Sequence, residues 1–438
     1  MPACDSRYRQ SGAPLTAWLL TIVLTLCYTL SIVDRSVIAF LVVDIKRDLH
    51  IDDFELGLVQ GLAFSVFYAL AGVPLGLAID RYERKRVIAA ALFGWSTMTM
   101  LSGAAYNFLT LAVARIGVGV GEASLTPGSY SLMSDAFPRR QFAMASAIYS
   151  LGVPLAAACA AALSGYVLSD ADASGTIAVP IFGRLQAWRA AFVLAGMPGV
   201  LMGFVMLSMR VPARTVSPKV SVSGNGAIAF LRKNWRTHVI YIVTVMLSTL
   251  INASFSAWSP ASLRQAFGWS SAQVSTSLGS IGLACGVAGS VLGGFLSTWV
   301  IRRGRTDWIL VIALGGVIGT ALCGILGLVA HSGFGFVAVV AVAGLISPLM
   351  LMMSPTLLQI ITPPELRGRI TALFLLINIG IGMGLGPTLV GALSSHGARL
   401  PVALGAVVLA ASCIAIGGYI YLLRPLGRYL ESLPPSMS

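Results

Sequence analysis

The stretch AWLLTIVLTLCYTLSIVDRSVIAFLVV, residues 17–43, decides the class of this fold. Its only charged residues are the adjacent Asp34 and Arg35. A segment that crosses the hydrocarbon core of a bilayer needs about 20 mostly apolar residues, so this run reads as a transmembrane helix. Polar residues precede it, and no small-residue cleavage site ends a short apolar core. The expectation is therefore a first membrane helix and not a cleavable signal peptide.

Eleven further apolar runs follow, at 55–79, 87–105, 108–133, 141–168, 188–209, 236–262, 272–300, 307–330, 334–361, 369–394 and 400–423. The expected fold class is an all-α membrane protein of twelve transmembrane helices in two pseudo-symmetric six-helix bundles. Composition agrees: 57% of the 438 residues are hydrophobic and 10% charged, against roughly 25% charged in soluble domains. The 47 glycines suit a bundle in which small residues let helix backbones approach. Pro74, Pro127, Pro154, Pro198, Pro348, Pro355 and Pro387 predict kinks that neighbouring helices tolerate.

Basic residues set the expected orientation, because Lys and Arg gather in cytoplasmic connections. With both termini inside, the cytoplasmic segments hold 21 of the 29 Lys and Arg. Lys46, Arg47, Arg184, Arg189, Arg264 and Arg399 fall on the other face, and Arg35 and Arg115 lie within helices. The expected location is the cytoplasmic (inner) membrane with both ends cytoplasmic.

Residues 211–235, VPARTVSPKVSVSGNGAIAFLRKNW, form the longest basic connection. They divide an N-terminal bundle (1–210) from a C-terminal one (236–438). FPRRQFAMASAIY from Phe137 and TPPELRGRITALF from Thr362 echo each other at an offset of 225, each opening the fifth run of its half. A parallel internal repeat accounts for this.

Four charges lie deep in the apolar runs: Asp34, Arg35, Arg115 and Glu122. Each costs about 2.5–3.5 kcal/mol at the bilayer centre, so they are expected to face the bundle interior and to pair. At ~1.5 Å per residue, Asp34 and Arg35 lie about 12–14 Å below the outer end of the first run, and Arg115 about 10 Å below the same face. Glu122 sits seven residues further along, on nearly the same helix face but ~10 Å deeper. We therefore expect the acids to take cationic partners from the other helix. A carboxylate beside Arg stays ionised, whereas one that loses that partner in a dry site takes up a proton more readily. That chemistry suits proton-coupled switching, with Asp34 and Glu122 as carriers.

The second half has no such charges. Asn252, Gln359 and Asn378, beside Phe255 and Trp258, are singly the kind of residue that glues helices together. Together they suggest a cavity with one charged wall and one mostly apolar wall, fit for an amphipathic or lipid-like solute.

Other classes fit less well. The net charge of +13 sits in the connections, with no basic stripe interleaved with aromatics on a polar face, so no nucleic-acid partner is expected. The four histidines (His50, His238, His331 and His396) occupy different connections, and the six cysteines lack metal or disulfide spacing. No enzyme chemistry, metal or cofactor is expected; the energy source would be a proton gradient. The expected partners are a small or lipid-like substrate and the bilayer, and the expected state is a monomer.

Two motifs carry a family resemblance. Gly76-Leu-Ala-Ile-Asp80-Arg81-Tyr-Glu83-Arg84-Lys85-Arg86, between the second and third runs, resembles the inter-helix gate motif of the major facilitator superfamily. Its gate residues here are Gly76, Asp80, Arg81, Arg84 and Lys85; Glu83 replaces the usual glycine. The matching place in the second half keeps Arg302, Arg303 and Arg305 but has Thr298 in place of the acid. Arg115-Ile-Gly-Val-Gly119-Val-Gly121-Glu122-Ala-Ser124-Leu-Thr-Pro127, with Asp34-Arg35 and Gly152-Val-Pro154, resembles the spinster-like branch. Ala156 stands where that branch often has glycine. The resemblance implies alternating access around a central cavity and proton coupling through Asp34, Arg35, Arg115 and Glu122. It also implies lysolipid or sphingolipid-type cargo; the alternatives are uptake of small organic anions and drug or metabolite efflux.

Overall fold

The computed structural model describes residues 14–431 apart from 173, 181, 213–231, 233, 304–307 and 363–365. Most of the expected 211–235 linker, with Arg214, Lys219 and Lys233, lies outside the described residues, as do Arg7, Arg9, Arg305 and the side chain of Gln359.

Twelve crossings follow one another among the described residues. The first is one long helix, Leu15–Leu49. The second is Asp53–Gln60 with Leu62–Arg81, and the third Arg84–Ser102. The fourth is Phe108–Glu122 with Leu125–Ala136, the fifth Arg139–Ser150 with Gly152–Ser169, and the sixth Ala187–Ser208. The second set comprises Trp235–Phe267, Ser271–Arg302, Trp308–Leu328 and Gly333–Ile360. Its eleventh member is Arg367–Ile377 continued through a π-helical turn (Asn378–Met383) into Gly384–Ser395, and its twelfth is Leu400–Glu431. Ten of these are long and apolar enough to span a bilayer by themselves. The third opens on three consecutive bases, and in the tenth the apolar stretch is the shorter Gly333–Pro348.

The breaks have local causes. Proline cannot donate to the carbonyl four residues back. The fourth crossing accordingly opens at Ala123–Ser124, just before Pro127, and the fifth at Leu151, just before Pro154. The second breaks at Gly61, where an added Cβ would stand 2.9 Å from the Gly57 carbonyl oxygen and collide with the backbone of Gly384 in the other half. Pro74, Pro198 and Pro387 are absorbed inside continuous helices.

An antiparallel hairpin between the fifth and sixth crossings was not expected from the sequence. It pairs β1 (Thr176–Val179) with β2 (Gly183–Gln186). Asp172 nucleates it, accepting the backbone N–H groups of Ser174 at 3.0 Å and Thr176 at 2.9 Å and pairing with Arg184. Such Asx-type turns compete with helix, and alternation over four residues is too short to stand out beside apolar helices.

The two halves meet on the face opposite the chain ends. There Arg264 pairs with Asp44 at 2.5 Å and Ser394 donates to Asp53 at 2.7 Å. The Phe54 N–H reaches Ser395 at 2.8 Å, and Thr388 donates to the Gly57 carbonyl at 3.2 Å. Deeper in, Ser65 donates to the Gly380 carbonyl at 2.9 Å. Toward the chain ends the second crossing is looser: a Cβ added at Gly72 or Gly76 would meet no atom within 4 Å.

Candidate functional site

The four buried charges come together between the first and fourth crossings. Asp34, Arg115 and Glu122 are each 1% exposed. Arg35 donates through Nε to Glu122 Oε2 at 2.5 Å, and Ser31 Oγ donates to the same oxygen at 2.7 Å. One helical turn separates Ser31 from Arg35, and Arg35 Nη2 also reaches the Ser31 hydroxyl at 3.4 Å. Both groups therefore fasten one carboxylate oxygen, while Glu122 Oε1 is buried without a hydrogen bond.

Arg115 makes a different contact. Its Nη1 donates to the backbone carbonyl of Asp34 at 2.9 Å, not to the carboxylate. Asp34 Oδ1 and Arg115 Nε are both buried without a hydrogen bond. The Asp34 carboxyl faces the Thr99 hydroxyl of the third crossing. The two arginines share an aromatic wall: the Arg35 guanidinium lies 4.8 Å from the ring centres of Phe64 and Tyr68, and that of Arg115 5.7 Å from Phe64. Cation–π contacts of this kind strengthen where water is excluded. Gly119 permits the approach, because a Cβ there would stand 2.5 Å from the Phe64 carbonyl oxygen.

Of the cationic partners expected from the other helix, Glu122 has Arg35, whereas Arg115 meets the Asp34 carbonyl. The depth argument needs correcting, because the first helix runs on to Leu49 and its end is no measure of the membrane surface. Ser31, Phe64, Tyr68 and Thr99 were not singled out from the sequence. Ser31 was within reach of such a reading: it precedes Arg35 by one turn on the same helix face.

The gate residues sit at the chain-end face. Arg84, 6% exposed, donates to Asp135 at 2.5 Å, to the Ser131 carbonyl at 3.0 Å and to the Pro212 carbonyl at 3.3 Å. It ties the third and fourth crossings to the chain leaving the sixth. Lys85 Nζ reaches the Met209 carbonyl at 3.4 Å, while Asp80 and Arg81 are exposed. Glu83 serves as N-cap of the third crossing and pairs with Arg86 at 2.6 Å. Glu83 itself sits at φ −67°, ψ 111°, an extended conformation, so no glycine is needed there. Thr298 donates to its own Gly294 carbonyl, and Ala156 is fully buried.

A cavity of about 220 Å³ opens between the halves, and none of the four charged residues lines it. Ser36, adjacent to Arg35 in sequence, Phe40 and Ala157 of the fifth crossing form its first-half wall. Asn252 and Phe255 line it together with Ser256, Ser259 and Ser347. Two expected lining residues do not: Trp258 is fully buried with its indole N–H on the Pro387 carbonyl at 2.9 Å. Asn378 opens the π turn, taking a hydrogen bond from Thr249 at 3.2 Å and donating to the Phe374 carbonyl at 3.0 Å. Both are helix–helix joints; for Trp and Asn in a membrane bundle, burial of a donor demands such a partner.

Residues 24–380 match the Major Facilitator Superfamily. The chain belongs to this family. It is 28% identical to an MFS-type efflux pump of Mycolicibacterium smegmatis, over 90% of this chain and 88% of that protein. It is 27% identical to a probable galactarate/D-glucarate transporter of Bacillus subtilis, over 66% of each. It is 24% identical to Protein spinster of Drosophila melanogaster, over 88% of this chain and 63% of that one. Its fold resembles that of a bacterial homologue of the human lysosomal transporter Spinster, crystallised in an inward-facing, unoccupied conformation. The TM-score is 0.74 and the identity 23%, covering 96% of this chain and 97% of the other. The spinster-like resemblance of the motifs thus extends over most of the chain. The protein is an integral membrane secondary transporter of the major facilitator type, not an enzyme.

Proposed function

We propose that this transporter couples proton movement to the passage of a small amphipathic or lipid-like solute by alternating access. Glu122 carries the reading: a fully buried carboxylate gripped at one oxygen by Arg35 and Ser31, its other oxygen buried without a hydrogen bond. Neutralising Glu122 releases Arg35 and weakens the first crossing's hold on the fourth, leaving the Arg115 contact to the Asp34 carbonyl. Asp34 is the second proton carrier; its carbonyl, held by Arg115, ties it to the same fourth crossing.

The joined face opposite the chain ends and the loose packing at Gly72 and Gly76 support an inward-facing state, with both termini cytoplasmic. We further propose that the chain works in the inner membrane as a monomer, with the proton gradient as its energy source. The test is transport in proteoliposomes under an imposed pH gradient. Asp34→Asn with Glu122→Gln abolishes gradient-driven movement; full transport by that double variant overturns the proposal.

A rival reading, proton-coupled uptake of small organic anions, draws on the sugar-acid transporters among the relatives. It requires cations facing the solute. Arg35 and Arg115 are instead engaged inside the first half, and among the described residues no charged side chain lines the cavity. Offering sugar diacids and lysolipids to the same proteoliposomes separates the two.

A further inference from the structure

The two halves carry matching landmarks that fix which residues correspond. Asn107 and Ser332 cap the fourth and tenth crossings in the same way, each accepting the N–H three residues on, at 2.9 and 3.2 Å. They are 225 residues apart, the offset of the sequence echo. The first and seventh crossings both end on a left-handed residue, His50 (φ 55°) and Gly268 (φ 69°). The next helices then begin with reciprocal caps, Asp52 with Glu55 and Ser270 with Gln273. There the offset is 218.

Applied to the charged cluster, these offsets place Asn252 opposite Asp34, Val340 opposite Arg115 and Ser347 opposite Glu122. All three line the 220 Å³ cavity. The second half thus presents, at the positions where the first half keeps its charges, one amide, one aliphatic group and one hydroxyl. Ser256 and Ser259 add hydroxyls, and Phe255, Leu278 and Ile281 supply the apolar surface.

We propose that Asn252 and Ser347 form the polar subsite for the transported molecule, and that this subsite takes an uncharged head bearing hydroxyl or amide groups. This deepens the function proposed above and rests on it for the word "transported". The physical reason is a balance of donors and charges. An anionic head entering this wall would be desolvated without a cation to meet it, which is costly in a low-dielectric site. A hydroxylated head can both donate to and accept from an amide and a hydroxyl. A site built to hydrogen-bond its ligand also rejects analogues that leave its polar groups unpaired. The charges on the first-half side remain free for proton chemistry because the substrate head does not need them.

The test uses the full chain in phosphatidylcholine nanodiscs and two photoactivatable probes with the same diazirine-bearing acyl chain: a monoacylglycerol and the free fatty acid. Cross-links mapped by mass spectrometry separate cavity labelling from labelling of the lipid-facing surface. The monoacylglycerol is expected to label the cavity segments of the seventh and tenth crossings several-fold more than the acid does. Asn252→Ala and Ser347→Ala each lower that labelling about fivefold, the worth of one neutral hydrogen bond. Asn252→Lys reverses the preference toward the acid. Equal labelling by both probes in the unaltered protein overturns the proposal, and so does unchanged labelling in both alanine variants; neither result depends on the lysine variant folding. Glu122→Gln is expected to keep cavity labelling. If gradient-driven transport also survives Asp34→Asn with Glu122→Gln while the labelling pattern holds, proton coupling fails and the neutral-head subsite stands.

Discussion

The first half of the molecule holds four charges against one another, three of them fully buried and Arg35 partly so, whereas the second half, at three corresponding positions, turns an amide, a valine and a hydroxyl to a cavity. The helix caps that frame both layers are alike. The contrast teaches that the fold constrains where helices begin and end, while the chemistry inside each bundle is free to diverge. Charges in one half need their partners within that half, because a buried ion without a partner is far more expensive than a buried pair. Neutral polar groups in the other half remain available to a visitor.

The largest expected effect comes from breaking the pair in the charged half. Arg35→Leu leaves Glu122 buried and held only by Ser31, so that it either carries an uncompensated charge or takes up a proton, which should cost up to about 3–5 kcal/mol of stability. The thermal unfolding midpoint in detergent should fall sharply and recover when Glu122→Gln is added. The equivalent change in the second half, Ala253→Leu, strands no charge and should have a much smaller effect. An Arg35→Leu variant as stable as the parent, or one not rescued by Glu122→Gln, would remove the asymmetry on which this comparison rests.

A smaller effect sharpens it. Ser31→Ala deletes one hydrogen bond to an ionised carboxylate, about 1.5–3 kcal/mol, but leaves Arg35 in place. We expect a partial loss of stability together with a changed pH profile of transport. Ser31→Thr, which keeps the hydroxyl, should restore both. If Ser31→Ala lowered stability and left the pH profile unmoved, Ser31 would be packing only.

Much of this was legible in the sequence. The twelve apolar runs, the interior charges and the break near Pro127 follow from hydropathy, burial cost and a missing donor, each a property of a single segment. The depth of Asp34 was misjudged because the first helix continues past residue 43 through Asp44, Lys46, Arg47 and Asp48, which read as a loop. In the structure three of those charges have partners: Arg264 for Asp44, Asp53 for Lys46 and Arg189 for Asp48. Trp258 and Asn378 were expected in the cavity because buried polarity points equally to a ligand or a neighbouring carbonyl. Only the fold decides which is present. The β-hairpin was invisible for a similar reason: one aspartate, Asp172, organises it.

The smallest expected effect concerns the seam where the halves touch. Arg264 and Asp44 pair across it at 2.5 Å, with side chains 16% and 26% exposed. Partly solvated pairs are worth about 0.2–1 kcal/mol, so Arg264→Gln should leave folding nearly unchanged. Because this pair joins the two halves, its loss should instead favour separation on the face opposite the chain ends. With native cysteines replaced and a cysteine placed at Ser256 in the cavity wall, an impermeant thiol reagent added to that face should react up to about fivefold faster, the equivalent of 1 kcal/mol. Arg47→Gln, altering a neighbouring base in the same first-half segment, is the control and should leave the rate alone. An Arg264→Gln rate equal to the parent's would mean that the glycine contacts at Gly61 and Gly384, and not this ion pair, hold the seam shut.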